Sequence, residues 1–288
     1  MTEALLDAGL LARLEALQVR TRRRLVGHLS GEHRSSRFGT SLDFADYRDY
    51  HPGDDFRRID YHLLARLDVA LVKLFEAEDD VTLRLLVDTS ASMATEGKMR
   101  QAARVAAALG FVALVRRDPV TLHTFPVERN VRRYTGRGAM PALFGALAAL
   151  EPAGETAFAT AATHLLSRPG PPGITAVISD LLTPDWQSGL ERLPARGGDV
   201  LVVQVLANSD LHPDLSGDVE LVDAERDHRV AVSLTPEAVR DFERAARGWV
   251  DEVADRCHRA GLGYVRVMAD DDLEPLLLGA WRDAGVLR

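Results

Sequence analysis

The chain has 288 residues, of which 46% are apolar and 27% charged, and its formal net charge is −8. Such values belong to an ordinary globular protein and exclude wholesale disorder. They also exclude the basic composition of a general nucleic-acid binder. Residues 1–76 are balanced at 12 basic and 12 acidic side chains, so the remainder carries the whole negative excess. The longest apolar run, residues 105–115, has eleven members, about half of the twenty that a bilayer span needs. No basic segment followed by an apolar stretch opens the chain, and the expectation is a soluble, cytoplasmic protein. Cys257 is the only cysteine, which rules out an intrachain disulfide and a cysteine-based zinc site.

Residues 4–25 read as an amphipathic helix, with Leu6, Leu10, Leu14 and Leu17 at spacings of three and four. It ends in Arg22-Arg23-Arg24, a solvated tail or an attachment to an anionic partner. Residues 26–42 read as loop. Pro52-Gly53 suits the centre of a type II turn. Asp54 is the expected cap of a short helix burying Phe56, Ile59, Leu63 and Leu67, and residues 69–76 are expected to be extended.

From Val81 onward short apolar strands alternate with helices. Strands are expected at 83–87, 120–125, 130–134, 174–178, 200–206 and 263–267. Helices are expected at 99–115, 139–150, 157–167, 185–193, 237–259 and 272–282. Residues 219–222 and 229–232 are spaced to pair as a hairpin. The helix at 237–259 is expected to bury Val239, Phe242, Ala246, Trp249 and Val253. This alternation predicts an α/β domain with a mostly parallel sheet covered on both faces.

The chemistry concentrates at the end of the first of these strands. Leu83-Arg84-Leu85-Leu86-Val87 runs into Asp88-Thr89-Ser90-Ala91-Ser92, and in an open α/β sheet ligands bind beyond the carboxyl ends of the strands. Thr156 stands on a loop before a helix, with Thr160 and Thr163 nearby, and Asp180 follows the strand at 174–178. Asp88, Ser90, Ser92, Thr156 and Asp180 together offer two carboxylates and three hydroxyls, without nitrogen or sulfur. Such a set suits a hard cation, Mg²⁺ or Mn²⁺. The plainer alternative is an Asp/Ser helix cap without metal.

Other candidates are weaker. His28 and His33 lack the spacing of a zinc protease. Asp270-Asp271-Asp272 reads as charge at a helix start. Cys257 sits near an apolar helix face as a structural thiol. A metal-dependent phosphatase of the haloacid-dehalogenase type needs a second Asp two residues after the first, where this chain has Ser90. No nucleophile elbow, Walker A loop or Gly-x-Gly-x-x-Gly turn is present.

The spacing Asp88-x-Ser90-x-Ser92, with Thr156 and Asp180, resembles the metal-ion-dependent adhesion site of von Willebrand factor A domains. A second resemblance is carried by Tyr47, Arg48, Tyr50, Pro52, Gly53, Asp54, Asp55, Arg57 or Arg58, Ile59 and Asp60, followed by Ala65-Arg66. This stretch is similar to the signature of the bacterial family called domain of unknown function 58, with Tyr61 where that family usually has Trp. The resemblance extends over about residues 25–285.

It implies a von Willebrand factor A-like, Rossmann-type domain over residues 79–288. Residues 1–78 would form a helical and loop extension packed on it. In such sites Ser90, Ser92 and Thr156 would hold Mg²⁺ (or Mn²⁺) directly, with Asp88 and Asp180 acting through waters, and a partner's Asp or Glu would complete the shell. The site would then be a docking point and not a catalyst. Family members are often encoded beside AAA+ ATPases of the MoxR type, which implies a co-chaperone or assembly role with such a partner. Many members also carry an N-terminal membrane hairpin, and none is expected here. The alternating Tyr, Arg and Asp side chains of residues 43–66 suit bidentate pairing or a partner surface. A scaffold with a vestigial metal site and a metal-dependent hydrolase are the competing functions.

Overall fold

The computed structural model describes residues 5–15, 17, 44–52, 54, 56–75, 81–126, 131–168, 170, 173–226 and 228–281. These residues fall into two compact units, one drawn from Met1–Arg24 and Val81–Arg288, the other from Leu25–Asp80. The expected helix beyond Leu17, the Arg22-Arg23-Arg24 run, the loop at 26–42, His28, His33 and Gly53 lie outside the described residues.

Helix α1 (Ala8–Leu14) belongs to the larger unit. Its cap is Asp7, whose carboxylate accepts from the Leu10 amide at 2.9 Å. Leu6, Leu10, Leu14 and Leu17 are buried; Leu10 and Leu14 lie on the helix, whereas Leu6 precedes it and Leu17 follows it, a departure from the expected helix over 4–25.

In the smaller unit β1 (Phe44–Asp49), α2 (Tyr61–Leu67) and β2 (Leu71–Phe75) follow one another, and the two strands pair antiparallel. The cap of α2 is Asp60, whose carboxylate accepts from the amides of His62 and Leu63 at 2.9 and 3.2 Å. The expectation that Asp54 caps this helix is thereby corrected. Asp54 is taken up instead by Arg48, whose guanidinium donates to its two oxygens at 2.7 and 2.8 Å. Phe56 and Leu67 are also not on a buried face, being 61% and 59% exposed. A two-turn helix on a two-stranded ribbon encloses too little volume to bury apolar groups all round it.

The larger unit is built on a six-stranded sheet. Its strands are β3 (Thr82–Asp88), β4 (Val120–Phe125), β5 (Arg132–Tyr134), β6 (Gly173–Ser179) and β7 (Asp199–Leu206). After a separate antiparallel hairpin of β8 (Gly217–Val222) and β9 (Arg229–Leu234) comes the last sheet strand, β10 (Gly263–Met268). The spatial order is β10-β7-β6-β3-β4-β5, parallel except for β5 at one edge. From β3 the chain moves outward to β4 and β5, then returns to add β6 on the other side of β3. The strand order therefore reverses between β3 and β6, the place where open α/β sheets leave a crevice at their carboxyl ends.

Every residue of β3 and of β6 is buried, as expected for parallel strands covered on both faces. Alternate side chains divide between two cores. Leu83, Leu85, Val87, Ile174, Ala176 and Ile178 pack with α1, α3 (Lys98–Val115) and α4 (Met140–Ala148), joined by α8 (Leu273–Pro275) and the wider helical turn Leu276–Ala280. Leu86, Val177 and Val202 face α5 (Phe158–Ser167), α6 (Trp186–Arg192) and the C-terminal part of α7 (Pro236–Arg259). Helix α7 only partly follows its sequence pattern. Val250, Val253 and Cys257 are buried, whereas Phe242 is 44% exposed. The first turns of its apolar face lie beyond the two cores. Among the described residues no helix is long and apolar enough to cross a membrane.

Candidate functional site

Strands β3 and β6 lie side by side, with Val87 opposite Ile178. Their carboxyl ends therefore present Asp88 and Asp180 at neighbouring positions, and both side chains are wholly buried. Asp88 is held from two directions. Its Oδ1 accepts from the Ser90 amide at 2.9 Å, and its Oδ2 accepts from the Ser179 hydroxyl at 2.5 Å. Burial, reinforced by the neighbouring Asp180 charge, pushes the Asp88 carboxyl up to about 7, against the pull of its Ser179 and Ser90 hydrogen bonds. A buried carboxyl held up in this way is a place where added positive charge is favoured.

The loop after β3 is fixed by its own backbone. Thr89 donates to the Phe125 carbonyl at the end of β4 through its amide at 2.7 Å and its hydroxyl at 2.9 Å. Ser90 stands at the cap position of the 3₁₀ turn Ala91–Gly97, yet its side chain makes no capping hydrogen bond. Its Oγ lies 3.0 Å from the Ser92 Oγ instead. The capping explanation therefore fails for Ser90, and the two hydroxyls form a pair.

The loop carrying Thr156 is stitched to this one. Ala153 donates its amide to the Thr89 carbonyl at 2.7 Å, and Ala91 donates to the Gly154 carbonyl at 2.9 Å. Gly154 has φ +87°, a left-handed conformation suited to glycine. Thr156 is buried just beyond it. Of its neighbours, Thr160 is exposed on α5, and the Thr163 hydroxyl donates to the Ala159 carbonyl of its own helix at 2.8 Å. The structure thus brings Asp88, Ser90, Ser92 and Asp180 to the ends of adjacent strands, with the Thr156 loop bonded alongside.

Asp180 brings residues that the sequence did not reveal. Its Oδ1 accepts from the Leu182 amide at 3.0 Å, and its Oδ2 accepts from Lys98 Nζ at 2.8 Å. Lys98, the first residue of α3, is buried and also reaches Asp210 at 3.1 Å. Burial pulls the Lys98 ammonium down, but Asp180 and Asp210 outweigh it and the net shift is upward. Leu181, next to Asp180, has φ +60°, unusual for a branched side chain. Its amide is held by the Ser179 hydroxyl at 2.9 Å. Such local strain tends to gather at functional sites. The one available sequence signal for Lys98 was its rarity, since Lys73 and Lys98 are the only lysines beside many arginines.

The donor set fits a hard cation in chemical kind, being all oxygen and mostly uncharged. Among the described residues no three His, Cys, Asp or Glu side chains form a group suited to a metal ion. A site here would depend on hydroxyls and two carboxylates.

Elsewhere the singled-out residues have structural roles. Asp272 caps α8 through the Glu274 amide at 3.1 Å, and Asp271 accepts from the Met268 amide at 2.7 Å. Cys257 is buried, which pushes its thiol up to about 12. In the smaller unit the Arg48–Asp54 fork and the Tyr47 hydroxyl, donating to Asp60 at 2.9 Å, close the Tyr/Arg/Asp segment on itself.

The family described as "Protein of unknown function DUF58" matches residues 46–249. An uncharacterized protein of Mycobacterium tuberculosis is 31% identical over 277 residues, covering 92% of this chain and 87% of that protein. Among solved structures, a conserved hypothetical protein BatB from Bacteroides thetaiotaomicron is 14% identical with a TM-score of 0.39. It covers 71% of this chain and 98% of that one. An aerotolerance-related membrane protein from Bacteroides fragilis is 15% identical with the same TM-score and coverage.

Proposed function

We propose, for a chain that belongs to the family described as protein of unknown function DUF58, that the carboxyl ends of β3 and β6 form a metal-dependent docking point for an acidic residue of a partner protein. The larger unit would then be a von Willebrand factor A-like domain. One observation carries the reading. Two buried carboxylates, Asp88 and Asp180, end adjacent parallel strands beside the paired hydroxyls of Ser90 and Ser92.

Ser90, Ser92 and Thr156 would hold Mg²⁺ or Mn²⁺ directly, and Asp88 and Asp180 would act from behind through waters. When bound, the cation supplies a positive centre that few charged ligands neutralise, open to an incoming carboxylate. The chain's own contribution is orientation. Thr89 pins the loop to β4, Ser179 fixes Asp88, and Leu182 and Lys98 fix Asp180. These groups would bind and orient, and the site would be a docking point and not a catalyst. The proposed partner is a MoxR-type AAA+ ATPase, for which the protein would serve as a co-chaperone.

A second reading is favoured by one contact. Lys98 already places an ammonium on Asp180, as a scaffold whose metal site is vestigial would do. Capture of a MoxR-type ATPase from the same genome, with Mg²⁺ or with EDTA, separates the two. The docking reading expects capture that EDTA and Ser90→Ala each abolish. Capture indifferent to both contradicts it.

A further inference from the structure

The β8–β9 hairpin sends its tip to the candidate docking site. Glu225 lies in the turn between the two strands, and its carboxylate closes on Thr156 with both oxygens. Oε2 accepts from the Thr156 amide at 2.8 Å, and Oε1 accepts from the Thr156 hydroxyl at 2.5 Å. The adjacent Arg226 donates from Nε to Glu155 at 2.8 Å, so two successive residues of the tip engage two successive residues of the loop. The tip is shaped for this by Asp223, which accepts from the amides of Glu225 and Arg226 at 2.8 and 3.2 Å.

The rest of the hairpin is weakly anchored. Among the described residues its two strands pair only with each other, and none of their residues is buried. A lone two-stranded ribbon is at best marginally stable in water. Leu221, Val222 and Val230 stay exposed on it. An element with so little core of its own is suited to release.

We propose that Glu225 is a latch in cis: its carboxylate engages Thr156, the residue that would hold the cation, and stands in the approach that a partner's acidic residue must use, so docking requires the hairpin tip to leave. This rests on the docking reading above and adds to it the kind of partner selected. The ligand would be a glutamate on an exposed turn, presented as Glu225 is presented. A partially closed site lowers apparent affinity by the fraction that is open. Removing the latch should therefore raise affinity for an acidic turn by about tenfold, within the usual span of coupled sites.

The test uses the full chain, wild type and Glu225→Ala. The probe is a fluorescent hexapeptide with the sequence of residues 223–228, followed by anisotropy in Mg²⁺. The proposal expects binding about tenfold tighter to Glu225→Ala than to wild type, and lost when the peptide's own glutamate is replaced by alanine. Equal binding to both proteins overturns it, as does binding to neither, or binding that survives loss of the peptide's glutamate. Melting of the same two proteins with and without Mg²⁺ keeps the failures apart. A Mg²⁺ shift with equal peptide binding overturns the latch alone. No Mg²⁺ shift with tighter binding to the variant overturns the cation and leaves the latch.

Discussion

Lys98 Nζ lies 2.8 Å from Asp180 Oδ2, and the two side chains are 1% and 0% exposed. An ion pair this buried adds little net stability, because both charges have left water, but breaking it on one side leaves an uncompensated charge. Lys98→Met should therefore cost about 3–5 kcal/mol in the absence of metal, read as a lower urea midpoint at unchanged slope. Mg²⁺ should restore more stability to this variant than to wild type, since a cation at Asp180 would no longer face the ammonium. A loss below about 1 kcal/mol, the scale of an exposed pair, contradicts the assignment.

Asp60 joins two parts of the smaller unit, capping α2 while accepting from Tyr47. Asp60→Ala should cost about 1–2 kcal/mol locally. Asp60→Asn should cost much less, since Asn caps about as well as Asp. Amide hydrogen exchange over residues 61–67 reads the difference. Equal protection in the alanine variant and wild type would refute the capping role.

Gly189 on α6 faces the buried ring of Phe158, and an added Cβ would lie 2.3 Å from its Cδ1. Alanine favours a helix over glycine by about 1 kcal/mol, while overpacking a core costs about 1–3 kcal/mol. The ring is also flanked by Phe125 at a centroid distance of 5.7 Å, so it has little room to yield. Gly189→Ala should melt lower than wild type by a few degrees, at roughly 2–4 °C per kcal/mol for a chain of this order. A higher melting temperature would mean that the ring moves freely.

Cys257 should resist thiol reagents at pH 8 until the protein unfolds. Burial raises its thiol from 9.0 to about 12, so above pH 9 the folded state holds a proton that the unfolded state has released. Its contribution to stability is therefore complete below pH 9 and falls as pH rises toward 12. Wild type should lose more stability than Cys257→Ala between pH 8 and 10.5, measured by denaturant midpoint. Rapid labelling of native protein at pH 8 would contradict the burial.

The alternation of strands and helices was readable because buried parallel strands leave continuous apolar runs, such as Leu85-Leu86-Val87, ending at polar residues. The same rule located Asp88 and Asp180 in advance. Lys98, Ser179, Asp210 and Glu225 were not readable as site neighbours. Lys98 meets Asp180 across 82 positions and Glu225 meets Thr156 across 69, and strand order, which brings them together, leaves no local trace. Phe242 shows the opposite failure. Helical periodicity marks an apolar face but not where its cover stops. Asp54 and Asp60 were equally good caps by residue type, and only the path of the turn after β1 decided between them.

The most direct test of the central claim is the melting of metal-stripped protein with and without Mg²⁺, for wild type and a Ser90→Ala, Ser92→Ala double variant. At a concentration 100 times Kd, binding should add about 2.7 kcal/mol, or roughly 5–10 °C for a protein of this size. The account predicts that rise in wild type and its loss in the double variant, whose fold should persist because Ser90 holds Asp88 through its backbone amide. No rise in wild type, or an equal rise in both proteins, would contradict a cation site built on these hydroxyls.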